Sequence, residues 1–261
     1  MTDPLALAEQ IDAALRAQAR PGRAAAEKAY LKSDLEHYGT PMPAIRATVR
    51  TLVGRGRLAH DDLIALVEAL WAVPVHERRA AAVEVLVASV GLLRADDIAL
   101  LERLLRASGT WALVDRLAAS VVGSLVEHDP TLSAVVDRWA TDDDFWIRRS
   151  ALLALLGPLR RGDGDFDRFA RYADTMLEEK EFFVRKAIGW VLRDTGRRRP
   201  ELVFDWLLPR ARRASGVTVR EAVKPLSAAQ RDAITAAQRS RRPDDPPGRA
   251  APPDRLHDRL T

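Results

Sequence analysis

The sequence predicts an all-α solenoid of stacked helical hairpins with a concave basic groove. Apolar residues recur at helical spacing through nearly the whole chain, and no stretch shows convincing β alternation. Similar segments begin at His76, Trp111, Trp146 and Phe183, so successive starts lie 35, 35 and 37 residues apart. This period is typical of helical hairpins that bury their apolar faces by stacking on their neighbours. Equivalent positions then face the same way, and residues distant in sequence are expected to line one surface.

Helix boundaries follow from breakers such as Pro74, Gly109 and Pro200, which interrupt the apolar periodicity. The predicted helices span residues 4–19, 23–33, 42–53, 61–73, 75–90, 95–108, 111–128, 131–141, 145–159, 165–179, 182–196, 201–213, 218–226 and 228–241. We therefore predict one solenoid domain over residues 1–241. Residues 242–261 are rich in proline and arginine and are predicted to form a disordered tail, because they cannot bury enough apolar surface to fold.

Composition excludes several classes of function. The chain has no cysteine, which rules out disulfides, thiol nucleophiles, zinc–thiolate sites and iron–sulfur clusters. Its five histidines show no paired metal-ligand spacing, so we predict neither a metal site nor another cofactor. The N-terminus lacks the apolar core of a signal peptide, and no apolar run reaches the ~18 residues of a membrane span. The protein is expected to be cytoplasmic and to have no membrane partner.

Positive charge in this chain is carried almost entirely by arginine. Lysine and arginine together number 41, the formal net charge is +4, and only five of the basic residues are lysines. The planar guanidinium suits bidentate phosphate contacts, although a GC-rich genome produces the same composition. Composition therefore permits nucleic-acid binding without establishing it.

A tryptophan and a carboxylate lie about one helical turn apart at the start of the helix predicted over residues 111–128. On a helical wheel of about 100° per residue, the apolar stripe runs through Leu113, Leu117 and Val121. Trp111 and Asp115 fall together at its edge, where the wall of a groove would lie. The alternative is a core aromatic followed by an exposed carboxylate that the helix dipole favours.

The helix predicted over residues 182–196 carries an aromatic side chain among cations. The flank opposite its apolar stripe presents Lys186, Trp190, Arg193 and Arg197. An aromatic surface beside cations is typical of sites that hold a sugar or base between phosphate contacts. The alternative is a tryptophan packed on the next repeat with solvated arginines around it. For Lys186 we favour a phosphate contact over a Schiff-base nucleophile, because nothing in its surroundings activates it.

Together these motifs resemble the AlkD family of DNA alkylation repair glycosylases, whose members are HEAT-like solenoids. The resemblance covers roughly residues 30–224, and its most specific part is Phe-Phe-x-x-Lys-Ala-Ile-Gly-Trp-Val-Leu-Arg at residues 182–193. The hydrophobic-Arg-x-x-Ala pattern at residues 147–151 is similar to HEAT repeats. One departure is Thr110, where some relatives carry another tryptophan, and this difference bears on substrate preference.

The resemblance implies roles for individual residues. Asp115 corresponds to the catalytic aspartate, while Trp111 and Trp190 correspond to tryptophans that contact the deoxyribose of the lesion. Arg149 and Arg193 correspond to arginines at the DNA backbone. The full set expected to bind DNA is Tyr30, Arg148, Arg149, Lys186, Arg193, Arg220 and Lys224.

The implied activity is monofunctional hydrolysis of the N-glycosidic bond of cationic N3- and N7-alkylpurines, such as 3-methyladenine and 7-methylguanine. A cationic base leaves without protonation, so the reaction needs a carboxylate that stabilises the positive charge developing on the sugar. Asp115 suits this role. The expected partner is duplex DNA containing alkylated purines, bound by a monomer.

The main alternative is a HEAT-like scaffold that binds DNA or protein partners without chemistry, since such folds host many unrelated functions. Non-catalytic relatives would be expected to lack the aspartate or the tryptophans, whereas this chain retains Trp111, Asp115 and Trp190. A transcription regulator is less favoured, because no short turn leads into a base-contacting helix.

Overall fold

The computed structural model describes residues 3–54 and 58–239. Over these residues the chain is all-α and contains no strand, which confirms the predicted fold class. The predicted tail at residues 242–261 and the predicted last two residues of the final helix, 240 and 241, lie outside the described residues. The division of the chain into a solenoid and a tail therefore stays a prediction.

The described helices follow one another with short connections. They are α1 (Pro4–Arg16), α2 (Pro21–Leu31), α3 (Met42–Leu52), α4 (His60–Ala72), α5 (His76–Ala88), α6 (Ile98–Arg106), α7 (Trp111–Arg116), α8 (Gly123–His128), α9 (Ser133–Trp139), α10 (Phe145–Ala154), α11 (Leu156–Arg161), α12 (Phe166–Thr175), α13 (Phe182–Gly196), α14 (Pro200–Leu207), α15 (Gly216–Ala222) and α16 (Ala228–Arg239). Among them, none is long and apolar enough to cross a bilayer.

Stacking of successive repeats buries the predicted apolar stripes. Leu113, Leu117 and Val121 are all at most 1% exposed, and α13 packs between α10 and α15. The four similar segments found in the sequence open α5, α7, α10 and α13. These helices therefore occupy equivalent places in consecutive repeats, as the 35-residue period predicts.

Most predicted helix bounds differ from the observed ones by a few residues, and two predicted helices also differ in their winding or continuity. Leu117–Val122, between α7 and α8, is π-helical, so the predicted 111–128 helix changes its winding directly after the turn that carries Asp115. Such segments occur frequently at functional sites. The predicted 145–159 helix divides into α10 and α11, because Pro158 has no N–H to donate to the carbonyl of Ala154.

Candidate active site

Asp115 is held by a buried arginine from the next repeat. Arg149 on α10 donates from Nε to Asp115 Oδ1 at 2.7 Å and from Nη2 to Oδ2 at 2.8 Å. The Arg149 side chain is 3% exposed, whereas that of Asp115 is 15% exposed. Paired N–H groups fix the plane of a carboxylate. Asp115 is therefore a preoriented acid that still reaches solvent at the edge of the apolar stripe.

Arg149 also binds the repeat that follows. Its Nη1 donates to the backbone carbonyl of Phe183 in the first turn of α13. One guanidinium thus connects α7, α10 and α13. This arrangement differs from the predicted phosphate contact, because a guanidinium that binds a DNA phosphate must be accessible and Arg149 is buried.

Trp111 lies one turn before Asp115 and contacts an aromatic residue from the N-terminal part of the chain. Thr110 begins α7 as its N-cap, and its hydroxyl accepts a hydrogen bond from the backbone N–H of Ala112. The rings of Trp111 and Tyr30 meet edge to face, with centroids 6.1 Å apart and planes at 88°. Tyr30 is 36% exposed. The structure thus brings two of the predicted site residues into contact, although they are 81 positions apart in the sequence.

Trp190 is fixed by a different carboxylate. Its indole N–H donates to Asp194 Oδ2 at 3.1 Å, one turn further along α13. Asp194 Oδ2 also accepts from Arg160 Nε at 2.8 Å. Trp190 lies seven residues beyond Phe183, which is about 10 Å along the helix axis. That Trp190 shares one cleft with Asp115 stays a prediction.

Three basic side chains surround a cavity between α13 and the end of α15. The cavity has a volume of about 330 Å³ and is lined by Arg193, Arg197, Lys224 and Pro225. Arg193 and Lys224 were predicted to bind DNA. Arg197 was placed on the same flank by the helical wheel but was not among the predicted site residues. Its spacing of four residues from Arg193 was the signal that could have added it.

Glu221 on α15 holds this basic cluster together. Its carboxylate accepts from Arg193 Nη1 and, at 2.8 Å, from Lys224 Nζ. Burial opposes ionisation of Glu221, but the hydrogen bond and charge of Lys224 and the charge of Arg193 outweigh it and lower its pKa. The carboxylate is therefore ionised at neutral pH and partly neutralises the cluster.

The other predicted DNA-binding residues have different surroundings. Arg148 bridges to Glu179 at 2.8 Å and donates to two loop carbonyls, and its side chain is 16% exposed. The ammonium of Lys186 lies 5.8 Å from the ring centre of Phe182. Arg220 is exposed on the last turn of α15. The exposed Arg220 is therefore accessible to a DNA phosphate, whereas Arg148 is used in contacts with the preceding loop.

The sequence analysis did not identify Asp194 and Glu221, which orient Trp190 and Arg193. The spacing Trp190-x-x-x-Asp194 repeats Trp111-x-x-x-Asp115 and could have revealed the first of them. Asp194 is 3% exposed, and each of the two aspartates pairs with an arginine 34 positions away. The two pairs are not equivalent in the repeat, because the arginine follows Asp115 in the sequence but precedes Asp194.

The protein is an α-helical repeat protein. Its candidate site combines aspartate carboxylates that are hydrogen-bonded to arginines with partly exposed tryptophan rings. The chain belongs to the family of DNA alkylation repair enzymes, whose family model matches residues 11–226. Membership gives it a role in the repair of alkylated DNA.

One solved structure is similar over most of this chain. It is that of a predicted DNA alkylation repair enzyme from Enterococcus faecalis, with a TM-score of 0.72 and 23% sequence identity. The match covers 81% of this chain and 98% of that chain, and it establishes the shared fold. No curated protein matches the chain.

Proposed function

We propose that this protein is a monofunctional DNA glycosylase that excises cationic N3- and N7-alkylpurines from duplex DNA. The observation that carries the proposal is the carboxylate of Asp115, fixed by two N–H groups of Arg149 while its side chain stays partly accessible. Family membership supplies the substrate class, alkylated DNA.

The reaction needs little more than a well-placed negative charge. The alkylated base already carries a positive charge, so it departs as a neutral purine with the electrons of the C1′–N bond. Positive charge then develops on the deoxyribose, water adds to C1′, and one proton of that water is released to solvent to leave the C1′ hydroxyl. A preoriented carboxylate stabilises this charge more in the transition state than in the ground state.

In this mechanism Arg149 is a positioning residue. Each Asp115 oxygen accepts one N–H from Arg149. Because a carboxylate has about four lone-pair sites, the remaining ones can face the sugar or the attacking water. The paired arginine reduces the net charge of the site but fixes the direction of the carboxylate before substrate binds.

Aromatic rings and cations complete the proposed site. Trp111, supported by Tyr30, would present its face to the sugar, and a cation over an aromatic face gains ~0.5–2 kcal/mol. Trp190 would supply the second face. Arg193, Arg197 and Lys224 would contact phosphates in a basic groove, which gives affinity with little sequence preference.

One assay separates this function from that of a non-catalytic scaffold. A duplex with a single N7-methylguanine is incubated with the protein and then treated with alkali, which cleaves the strand at abasic sites. We expect cleavage at the methylated position only after alkali, and none in the unmethylated duplex. Binding to the methylated duplex without abasic sites would support the scaffold, and cleavage before alkali would indicate a lyase.

A further inference from the structure

A second group of chemically reactive side chains lies in the N-terminal part of the fold. It consists of Glu27 on α2, His37 in the following loop and Glu77 in the first turn of α5. One ligand atom from each residue lies within 4.8 Å of the other two. The backbone aligns them, because Glu36 and Val75 form a parallel bridge and the next residues, His37 and His76, stack with ring centroids 4.6 Å apart.

Two members of this cluster carry buried polar atoms that have no hydrogen-bond partner within the described chain. The side chain of His37 is 1% exposed, and neither ring nitrogen has a hydrogen-bond partner among the described residues. Glu27 Oε2 is likewise unpartnered, and it lies 4.0 Å from His37 Nδ1. Buried polar groups are nearly always satisfied, so an unpartnered imidazole and carboxylate that approach one point require an explanation.

Glu77 adds a fully buried carboxylate to the cluster. Its two oxygens accept the backbone N–H groups of Tyr38, Gly39 and Thr40 at 3.0, 2.6 and 3.2 Å. Three of about four lone-pair sites are thereby used, which leaves one for a further ligand bond. The loop cannot easily shift, because Gly39 has a φ of +81° and an added Cβ would lie 2.3 Å from the carbonyl oxygen of Arg20.

The negative charge of the cluster is only partly compensated by neighbouring basic residues. Arg23 binds the other oxygen of Glu27, Oε1, at 3.0 Å and so compensates one carboxylate. Lys28 acts electrostatically on His37 and Arg79 on His76, and within the described chain neither forms an ion pair with Glu27 or Glu77. The second carboxylate and the imidazole thus lack a positively charged partner at their centre.

We propose that Glu27, His37 and Glu77 form a binding site for Zn²⁺ or a similar divalent first-row metal ion. An imidazole nitrogen with carboxylate oxygens suits these ions better than Mg²⁺ or Ca²⁺, which prefer oxygen ligands alone. Ligands bound at about 2.1 Å in a tetrahedron lie about 3.4 Å apart, so the widest pair must approach by up to about 1.4 Å when the metal binds. A water molecule would complete the coordination.

The burial of the site gives the metal a structural role. It would connect α2 to α5 and fix the loop between α2 and α3. Tyr30 lies three residues after Glu27 on α2 and contacts Trp111, so the same ion would steady an aromatic ring of the candidate active site. The proposal does not depend on glycosylase activity.

The test uses tag-free protein that has been treated with EDTA and dialysed. Titration calorimetry with ZnCl₂ should give one equivalent of bound Zn²⁺, and the melting temperature should rise with Zn²⁺ concentration. MgCl₂ should bind at least about tenfold more weakly, because Mg²⁺ disfavours imidazole. Equal affinity for the two ions, or no binding of Zn²⁺, would overturn the proposal.

Substitutions of the cluster residues test whether the ion binds at this site. Glu27→Gln and His37→Gln should each lower Zn²⁺ affinity by at least about tenfold, whereas His128→Gln, an exposed histidine on α8, should not. Unchanged affinity in both cluster variants would place the ion elsewhere and contradict the site. In the wild type, Zn²⁺ should shift the imidazole NMR resonances of His37 and His76 but not that of His128. This measurement keeps the proposal falsifiable if a variant fails to fold.

Discussion

Arg149 and Asp115 form a two-point ion pair between adjacent repeats, with N···O distances of 2.7 and 2.8 Å. The arginine is buried and the aspartate is partly exposed, so the pair has an inner and an outer member. The buried guanidinium fixes the orientation of the carboxylate, which is the group that we propose acts on the substrate.

Replacing Arg149 should impair excision and stability without changing the electrostatics of DNA binding. Arg149→Ala leaves Asp115 unpaired and should lower the free energy of unfolding, by less than the about 3–5 kcal/mol of a fully buried pair because Asp115 is partly exposed. Urea unfolding measures that loss. The dependence of DNA affinity on salt concentration should stay unchanged, because a buried side chain releases no counterions from DNA. A decrease of about one in the logarithmic salt slope would instead assign Arg149 to a phosphate.

Arg197 should behave in the opposite way. It is exposed beside the cavity that Arg193 and Lys224 line. Arg197→Ala should weaken DNA binding and reduce the logarithmic salt slope by about one, because one phosphate contact is lost. The matched control is Arg103→Ala, whose arginine pairs with Glu68 on α4. Equal effects of the two substitutions would argue against a specific basic surface at α13.

Glu221 should make stability depend on pH in the acid range. Its pKa in the folded protein lies below the ordinary value of 4.5, so ionisation favours folding. The stabilisation is fully present above pH 4.5 and is lost as the pH falls through the lowered pKa. Glu221→Gln should therefore be less stable than the wild type at pH 7, and the difference should shrink towards pH 3. Glu201→Gln, at an exposed position, is the control and should show no such trend.

The contact between α13 and α15 requires glycine at position 189. A Cβ there would lie 2.8 Å from the Cβ of Glu221 and 2.9 Å from the carbonyl oxygen of Thr218. Gly189→Ala should reduce stability by about 1–3 kcal/mol, as overpacking does. It should also displace Glu221 from Arg193. Gly22→Ala meets nothing within 4 Å and should leave the melting temperature nearly unchanged.

The sequence predicted the helices and their stacking because both depend on local patterns. Helical periodicity and proline or glycine breakers placed the elements, and Phe182–Gly196 was predicted with its observed bounds. The interruption after Ala154 was not predicted. It arises because Pro158 has no N–H to donate to the carbonyl of Ala154, four residues earlier. Such tertiary and backbone details are not visible in an apolar pattern.

The sequence proposed candidate site residues but not the contacts that the structure shows for them. The helical wheel placed Trp111 and Asp115 at the edge of the apolar stripe, where both are partly exposed. It could not distinguish a buried arginine that orients an acid from an exposed one that binds phosphate. The cluster of Glu27, His37 and Glu77 was not foreseen either, because its members come from three segments without a metal-binding spacing.

The most direct test of the account is excision of N7-methylguanine from duplex DNA by Asp115→Asn. Asparagine keeps the size of the side chain and an oxygen that accepts from Arg149 but removes the negative charge. We expect excision to fall by about 100-fold or more, by analogy with loss of a preorganised electrostatic group, while DNA affinity is retained. Asp96→Asn, at an exposed position, should excise at the wild-type rate. Equal excision by the wild type and Asp115→Asn would contradict the assignment of Asp115 as the catalytic residue.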